Sequence, residues 1–162
     1  ANIDVLSNSN RRGIFYPLQT FSKTTKVDFS NIPICVEAEH KADLQLLKKL
    51  GGYISKTVVE IASAEREKLH LAAVFVNNFT NHLYSIAETI TAEHDLDFNL
   101  LKPLIAETAK KIETLAPAKA QTGPAKRNDQ KTIDKHLKLL KGSECQKLYQ
   151  ELTNSIKKSN KH

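Results

Sequence analysis

His70, Asn77, Asn78 and Asn81 fall within one apolar stretch, HLAAVFVNNFTNHLY, and are the residues whose types and spacing most suggest chemistry. An imidazole titrates near neutrality and suits acid/base work, and side-chain amides hold carbonyl and hydroxyl groups. On a helix of about 100° per residue, with His70 at zero, Asn77, Asn81 and Glu88 lie within about 20°, Ser85 near about 60° and Asn78 near about 80°. Most of the remaining circumference is Leu, Ala, Val, Phe and Ile. A helix apolar around most of its surface is expected to be buried on most sides, and its polar stripe then meets a cleft, a subunit seam or water. Asparagine is a poor helix-interior residue, which favours the cleft or seam over plain surface. For His70 the bland alternative is a satisfied structural histidine near a helix start.

A second stretch with unusual residue density is AQTGPAKRND, residues 120–129. Gly123 gives backbone freedom, Pro124 fixes the next turn, and Asp129 caps a following helix. Lys126 and Arg127 have the reach to meet a phosphate or carboxylate. The stretch either lines a binding cleft or is a helix–helix connection whose special residues are purely conformational.

The elements that must position these groups read as follows. GIFYPLQTF (13–21) and IPICVEA (32–38) are short, β-branched and aromatic, and predict strands. KADLQLLKKLGG (41–52) has leucines at helical spacing and ends in paired glycines suited to a left-handed cap. YISKTVVEI (53–61) predicts a further strand. From Ser63, a capping residue with Glu65 in the first turn, one long helix is expected to about Thr91. PLIAETAKKIETLA follows as a helix with Pro103 in its first turn and Pro117 as its stop. DQKTIDKHLKLLKG predicts a helix from Asp129 to Gly142. A last helix opens on Ser143 and Gln146, the spacing of a capping box.

The 162 residues suffice for one good core or two small ones. Apolar content of 40% and charged content of 26% are those of an ordinary globular chain. No apolar run approaches a membrane span, and the opening residues carry no signal-peptide apolar core. Cys35 and Cys145 form no metal or redox spacing and read as reduced thiols of a cytoplasmic protein. The six histidines form no recognisable ligand set, so no metal is expected. Of the net charge of +6, residues 117–162 hold 11 Lys and Arg against 4 Asp and Glu. That basic third lacks interleaved aromatics and any nucleic-acid motif, so neither nucleic acid nor membrane is expected as a partner.

GIFYPLQTFSK, VDFSNIPICVEA, HLAAVFVNNFTNHLY, the PLI…ET helix and AQTGPAKRND together resemble one family. Its members are regarded as NADP oxidoreductases with a Rossmann-like N-terminal domain and a C-terminal helical domain of unknown function. They are similar in layout to deazaflavin-dependent NADP reductases and, more distantly, to β-hydroxyacid and prephenate dehydrogenases. The resemblance implies a mostly α chain. Residues 1–62 would be the last α/β strands of a truncated Rossmann-like domain, and residues 63–162 an all-α domain with one long central helix. It further implies NADP or NAD as cofactor of a full-length protein, a small-molecule substrate and a homodimer. Asn77, Asn78, Asn81, Gln121, Thr122 and Arg127 would form the substrate side, and Tyr16, Gln19 and Thr20 the cofactor side; His70, the nearest titratable group on the polar stripe, would by that geometry be the acid/base. Tyr16 also fits plain strand core. Two departures matter. No GxGxxG occurs, so a fragment without its phosphate-binding half is expected, inactive and with no cofactor of its own; the absence of methionine suits a fragment too. Where β-hydroxyacid dehydrogenases carry lysine three residues before an asparagine pair, this chain has Val74, which transfers no proton. A non-catalytic dimerisation or ligand-binding module is the alternative.

Overall fold

Ile32, Ile34 and Val36 alternate along one strand segment, so all three side chains point to one face of a sheet. They are nearly inaccessible to water and form the core of the first half of the chain, packed with Val27, Phe29, Leu44, Leu47 and Val58. The computed structural model of the chain describes residues 2–6, 11–24 and 26–160. It is mostly helical, with a three-stranded sheet near its beginning. The chain divides into two compact units, Ala1–Leu83 and Tyr84–His162.

In the first unit, β1 (Gly13–Pro17) pairs antiparallel with β2 (Ile34–Ala38), and β2 pairs parallel with β3 (Val58–Glu60), in the order β1-β2-β3. Helix α1 (Lys41–Ile54) makes the crossover between the parallel strands, as such a pairing requires. It covers the face that carries Ile34 and Val36. Helix α2 (Ser63–Ala73) then lies against the opposite face, reached by Cys35 and Glu37. Beyond Ala73 the helix continues with a change of winding. Val74–Phe79 is π-helical, and α3 (Thr80–Glu93) resumes the α form. The Thr80 hydroxyl donates to the Phe75 carbonyl, five residues back, at 3.1 Å.

The second unit holds most of α3, then α4 (Lys102–Lys111), the short α5 (Pro117–Ala120), α6 (Gln130–Leu139) and α7 (Cys145–Ser159). Ala125, Ile133 and Thr153 are its buried residues. Between α6 and α7, the His136 and Tyr149 rings meet edge-on and their Nδ1 and Oη atoms lie 2.8 Å apart. Asp129 caps α6, accepting from the Thr132 N–H, as its sequence position implied.

Several local expectations need correction: the strand expected over 53–61 is confined to Val58–Glu60, and Ser143 forms no capping box for α7. The paired glycines are not a cap: α1 runs through both to Ile54. A Cβ on Gly51 would stand 2.9 Å from Val58 Cγ2, so glycine here lets the helix approach β3. Ser63 is not an N-cap but the first helical residue, because its hydroxyl is claimed by Glu37. Pro117 does not merely end a helix; it starts α5. The long helix is also far from buried on most sides: Leu71, Phe75, Val76 and Phe79 are 60%, 61%, 74% and 50% exposed. Its docked side is the one that faces the sheet.

The two glycines give a matched test. Gly52→Ala meets nothing within 4 Å and should raise stability by about 1 kcal/mol through helix propensity. Gly51→Ala should instead lower it by about 1–2 kcal/mol, because Val58 must move. Urea unfolding of both variants checks the pair, with opposite shifts in midpoint expected.

Candidate functional site

The register of α2 on the sheet is set by an ionised cluster at its beginning. The Glu37 carboxylate accepts from Arg66 Nη1 at 2.7 Å, from the Ser63 hydroxyl at 2.7 Å and from the Ser63 N–H at 3.0 Å. Arg66 also donates to Ser63 Oγ at 2.9 Å and to the Ile61 carbonyl at 3.3 Å. Its side chain is only 5% exposed, and that of Glu37 18%. A carboxylate facing the first turn of a helix is also favoured by the helix dipole. Burial pushes the Glu37 carboxyl up, but the bonds from Arg66 and Ser63 outweigh it and leave it below its ordinary value. Cys35, on the same face, has its thiol raised by burial, with Arg66 opposing; it is a protonated, inert core residue.

From this anchor the helix and strand keep step. Glu37 is cross-strand partner to Ile14, and Cys35 to Tyr16. Two strand residues advance about 6.8 Å and four helix residues about 6 Å. Arg66 at Glu37 therefore brings His70, one turn on, to Tyr16. The Tyr16 hydroxyl lies 3.3 Å from His70 Nδ1. A further two turns bring Asn77 and Asn78 to the loop after β1, where Gln19 and Thr20 stand.

Between these two walls is a cleft of about 490 Å³. Its polar groups come from Tyr16, Gln19 and Thr20 on one side and His70, Asn77 and Asn78 on the other. Leu18, Leu69, Ala72, Ala73 and Val76 supply the apolar remainder. Among the described residues, no charged Asp, Glu, Lys or Arg side chain lines it. A smaller cleft of about 200 Å³ shares Tyr16 and His70 and adds Arg66 and Glu67. A third, of about 380 Å³, shares Gln19 and Thr20 and includes Lys26 and Asp28.

The six cleft-lining polar residues are all among the sequence candidates, yet their grouping was not: Tyr16 and His70 are 54 positions apart. Asn81 does not line this cleft. The π segment explains why, since one residue added without its rotation turns everything after it by roughly 100°. Asn78 is brought in and Asn81 is carried away. Gln121, Thr122 and Arg127 belong to the second unit, in the connection before α6. There Gln121 Nε2 donates to the Thr122 carbonyl at 2.9 Å. Gly123 takes φ of 99° and Asn128 φ of 54°, and Lys126 Nζ donates to Asn160 Oδ1 at 2.6 Å, tying the connection to the end of α7. Sequence reasoning missed Glu37 and Arg66; an acidic residue inside an otherwise apolar strand was the available signal.

Among the described residues, no group of three or more His, Cys, Asp or Glu is placed to hold a metal, and no helix is long and apolar enough to cross a membrane.

Residues 32–156 match the family described as Domain of unknown function (DUF2520). The chain is similar, at 42% identity and a TM-score of 0.93, to the crystal structure of a "putative NADP oxidoreductase" from Bacteroides fragilis, covering 98% of this chain and 62% of that one. It shares its fold with a protein of Thermotoga maritima at 23% identity and a TM-score of 0.81, covering 99% of this chain and 65% of that one. The chain thus spans less than two thirds of either. No curated protein matches it.

Removing one partner of the anchor leaves a charge poorly solvated. Arg66→Ala should cost about 3 kcal/mol, the low end for a buried pair because Glu37 keeps some exposure. The pH dependence has a definite sign. Glu37 is more acidic folded than unfolded, so its stabilisation is complete above about pH 4.3, the unfolded glutamate value, and is lost as pH falls through the folded value. Thermal unfolding between pH 3 and 7 should show this acid loss in the wild type, and a smaller one in Glu37→Gln.

Proposed function

This chain belongs to the DUF2520 family of domains of unknown function, and from that premise we propose that it forms the substrate side of an NAD(P)-dependent oxidoreductase. The observation that carries the proposal is the cleft itself: a titratable His70 and two helix amides face Tyr16, Gln19 and Thr20 across a space of about 490 Å³. Its relative from Bacteroides fragilis carries a matching description.

The neutral hydroxyl and amide lining suits the carboxamide of a nicotinamide ring, and Gln19 and Thr20, beside Tyr16, are the residues that would hold it. The pyrophosphate of the cofactor needs a glycine-rich turn at a helix start, and these 162 residues contain none. When bound, the nicotinamide supplies or takes the hydride. The chain's own residues do the rest. His70, an imidazole facing the cleft, takes part in handling the proton. Asn77 and Asn78 orient a carbonyl or imine, and the Leu, Ala and Val walls limit access of water.

A second reading is a non-catalytic dimerisation module. It is favoured by Val74 in the lysine position and by Leu71, Phe75, Phe79 and Leu83, spaced four apart and each at least 40% exposed. Such a stripe suits the face of another copy, and a homodimer is part of both readings.

Two measurements separate them. NADPH should bind the protein that carries this chain and be consumed with a carbonyl or imine substrate, and His70→Gln should lower turnover at least about 100-fold with unchanged circular dichroism. Absence of NADPH binding contradicts the oxidoreductase reading. Sedimentation equilibrium should show a dimer that Phe75→Asp converts to monomer; a wild-type monomer at high concentration contradicts the dimer.

A further inference from the structure

Tyr16 and His70 are in contact and both line the two clefts on either side of them, of about 490 and 200 Å³. Tyr16 is half-buried in β1, opposite Cys35. The hydroxyl reaches past the sheet to the one imidazole in the cleft. From this juxtaposition we propose that Tyr16 is the proton donor to the ligand in the larger cleft and that His70 is the positioning and relay residue behind it. The inference rests on the oxidoreductase reading for the identity of the reaction but not for the coupling of the pair.

The step balances as follows. As a carbonyl or imine carbon receives hydride from a reduced nicotinamide, which is thereby oxidised, its oxygen or nitrogen gains the electron pair of the breaking π bond. The Tyr16 O–H bond breaks and its proton passes to that atom. His70 Nδ1–H gives its proton to the Tyr16 oxygen as a proton from bulk solvent, carried by water on the smaller-cleft side, adds to the other imidazole nitrogen. The exposed His70 returns to its first tautomer by exchange with solvent. The 3.3 Å contact gives the Tyr16 oxygen a direct route to a replacement proton through the imidazole.

The charged and titratable groups around the pair are few. From its own helix, His70 is near Arg66 and Glu67, which share the smaller cleft. Arg66 is bonded to Glu37 of β2, and Cys35 lies across from Tyr16 as a protonated thiol. Glu67 is therefore the one group of this set that would favour the imidazolium as pH falls, and it lies on the side from which the relay takes its proton.

The test has two readouts. In ¹⁵N-histidine spectra of the folded protein, Tyr16→Phe should shift the His70 titration and change its tautomer ratio, while Glu67→Gln should shift the titration without changing the tautomer ratio. If Tyr16→Phe leaves both unchanged, the pair is uncoupled and the proposal is overturned. In NADPH turnover, Tyr16→Phe should lower kcat at least about 100-fold with little change in KM for substrate. His70→Asn should likewise lower kcat and move the pH–rate limb toward alkaline values. Equal kcat in wild type and Tyr16→Phe also overturns it. Coupled titration in a protein that consumes no NADPH supports the pair and counts only against the oxidoreductase reading.

Discussion

A carboxylate, a guanidinium and a serine hydroxyl, all largely withdrawn from water, fix where α2 lies on the sheet. Apolar packing would hold the helix against that face in several registers, since methyl groups slide past one another at little cost. The Glu37 cluster does not slide. Each of its bonds has a required length and direction, and a shift of one residue would strand a buried charge. The remainder of the first unit is arranged around that fixed point: α1 closes the other face over Ile34 and Val36, and α2 continues along β1 in step with it.

The site is a consequence of this step. Strand and helix advance at nearly equal rates over the few residues concerned, so one anchor at Arg66 is enough to deliver His70 to Tyr16 and the asparagines to the loop beyond. The π segment at Val74–Phe79 then ends the agreement and turns the apolar residues of α3 to a new direction. Within the same segment Phe75 and Phe79 pack their rings edge to face at 5.0 Å while remaining exposed. In the proposed function, the side of this helix that lines the cleft meets the substrate, and its exposed apolar side meets a second copy.

Much of the fold was legible in the sequence because it depends on local pattern. The alternation in IPICVEA, the leucine spacing after Lys41 and Asp129 ahead of α6 each identify their element without reference to anything distant. The failures have a common cause in contacts far apart along the chain. Paired glycines look like a helix end until Val58 is known to return beside Gly51. Ser63 looks like a cap until Glu37, 26 residues earlier, takes its hydroxyl. The polar stripe was found from the helical repeat, but a regular repeat cannot foresee a π turn, and so Asn81 was placed on it and Asn78 at its margin. Tyr16 was read as a cofactor-side candidate or plain strand core, without its partner, which lies 54 residues on.

The central claim is that the Glu37–Arg66 anchor sets the register that joins Tyr16 to His70. A nuclear Overhauser experiment on the folded chain tests it most directly, through the cross-peak between the Tyr16 and His70 ring protons. The account predicts a clear cross-peak in the wild type that weakens or vanishes in Glu37→Ala, while those within the Ile34–Val36–Leu47 core persist. An undiminished Tyr16–His70 cross-peak in that variant would contradict it.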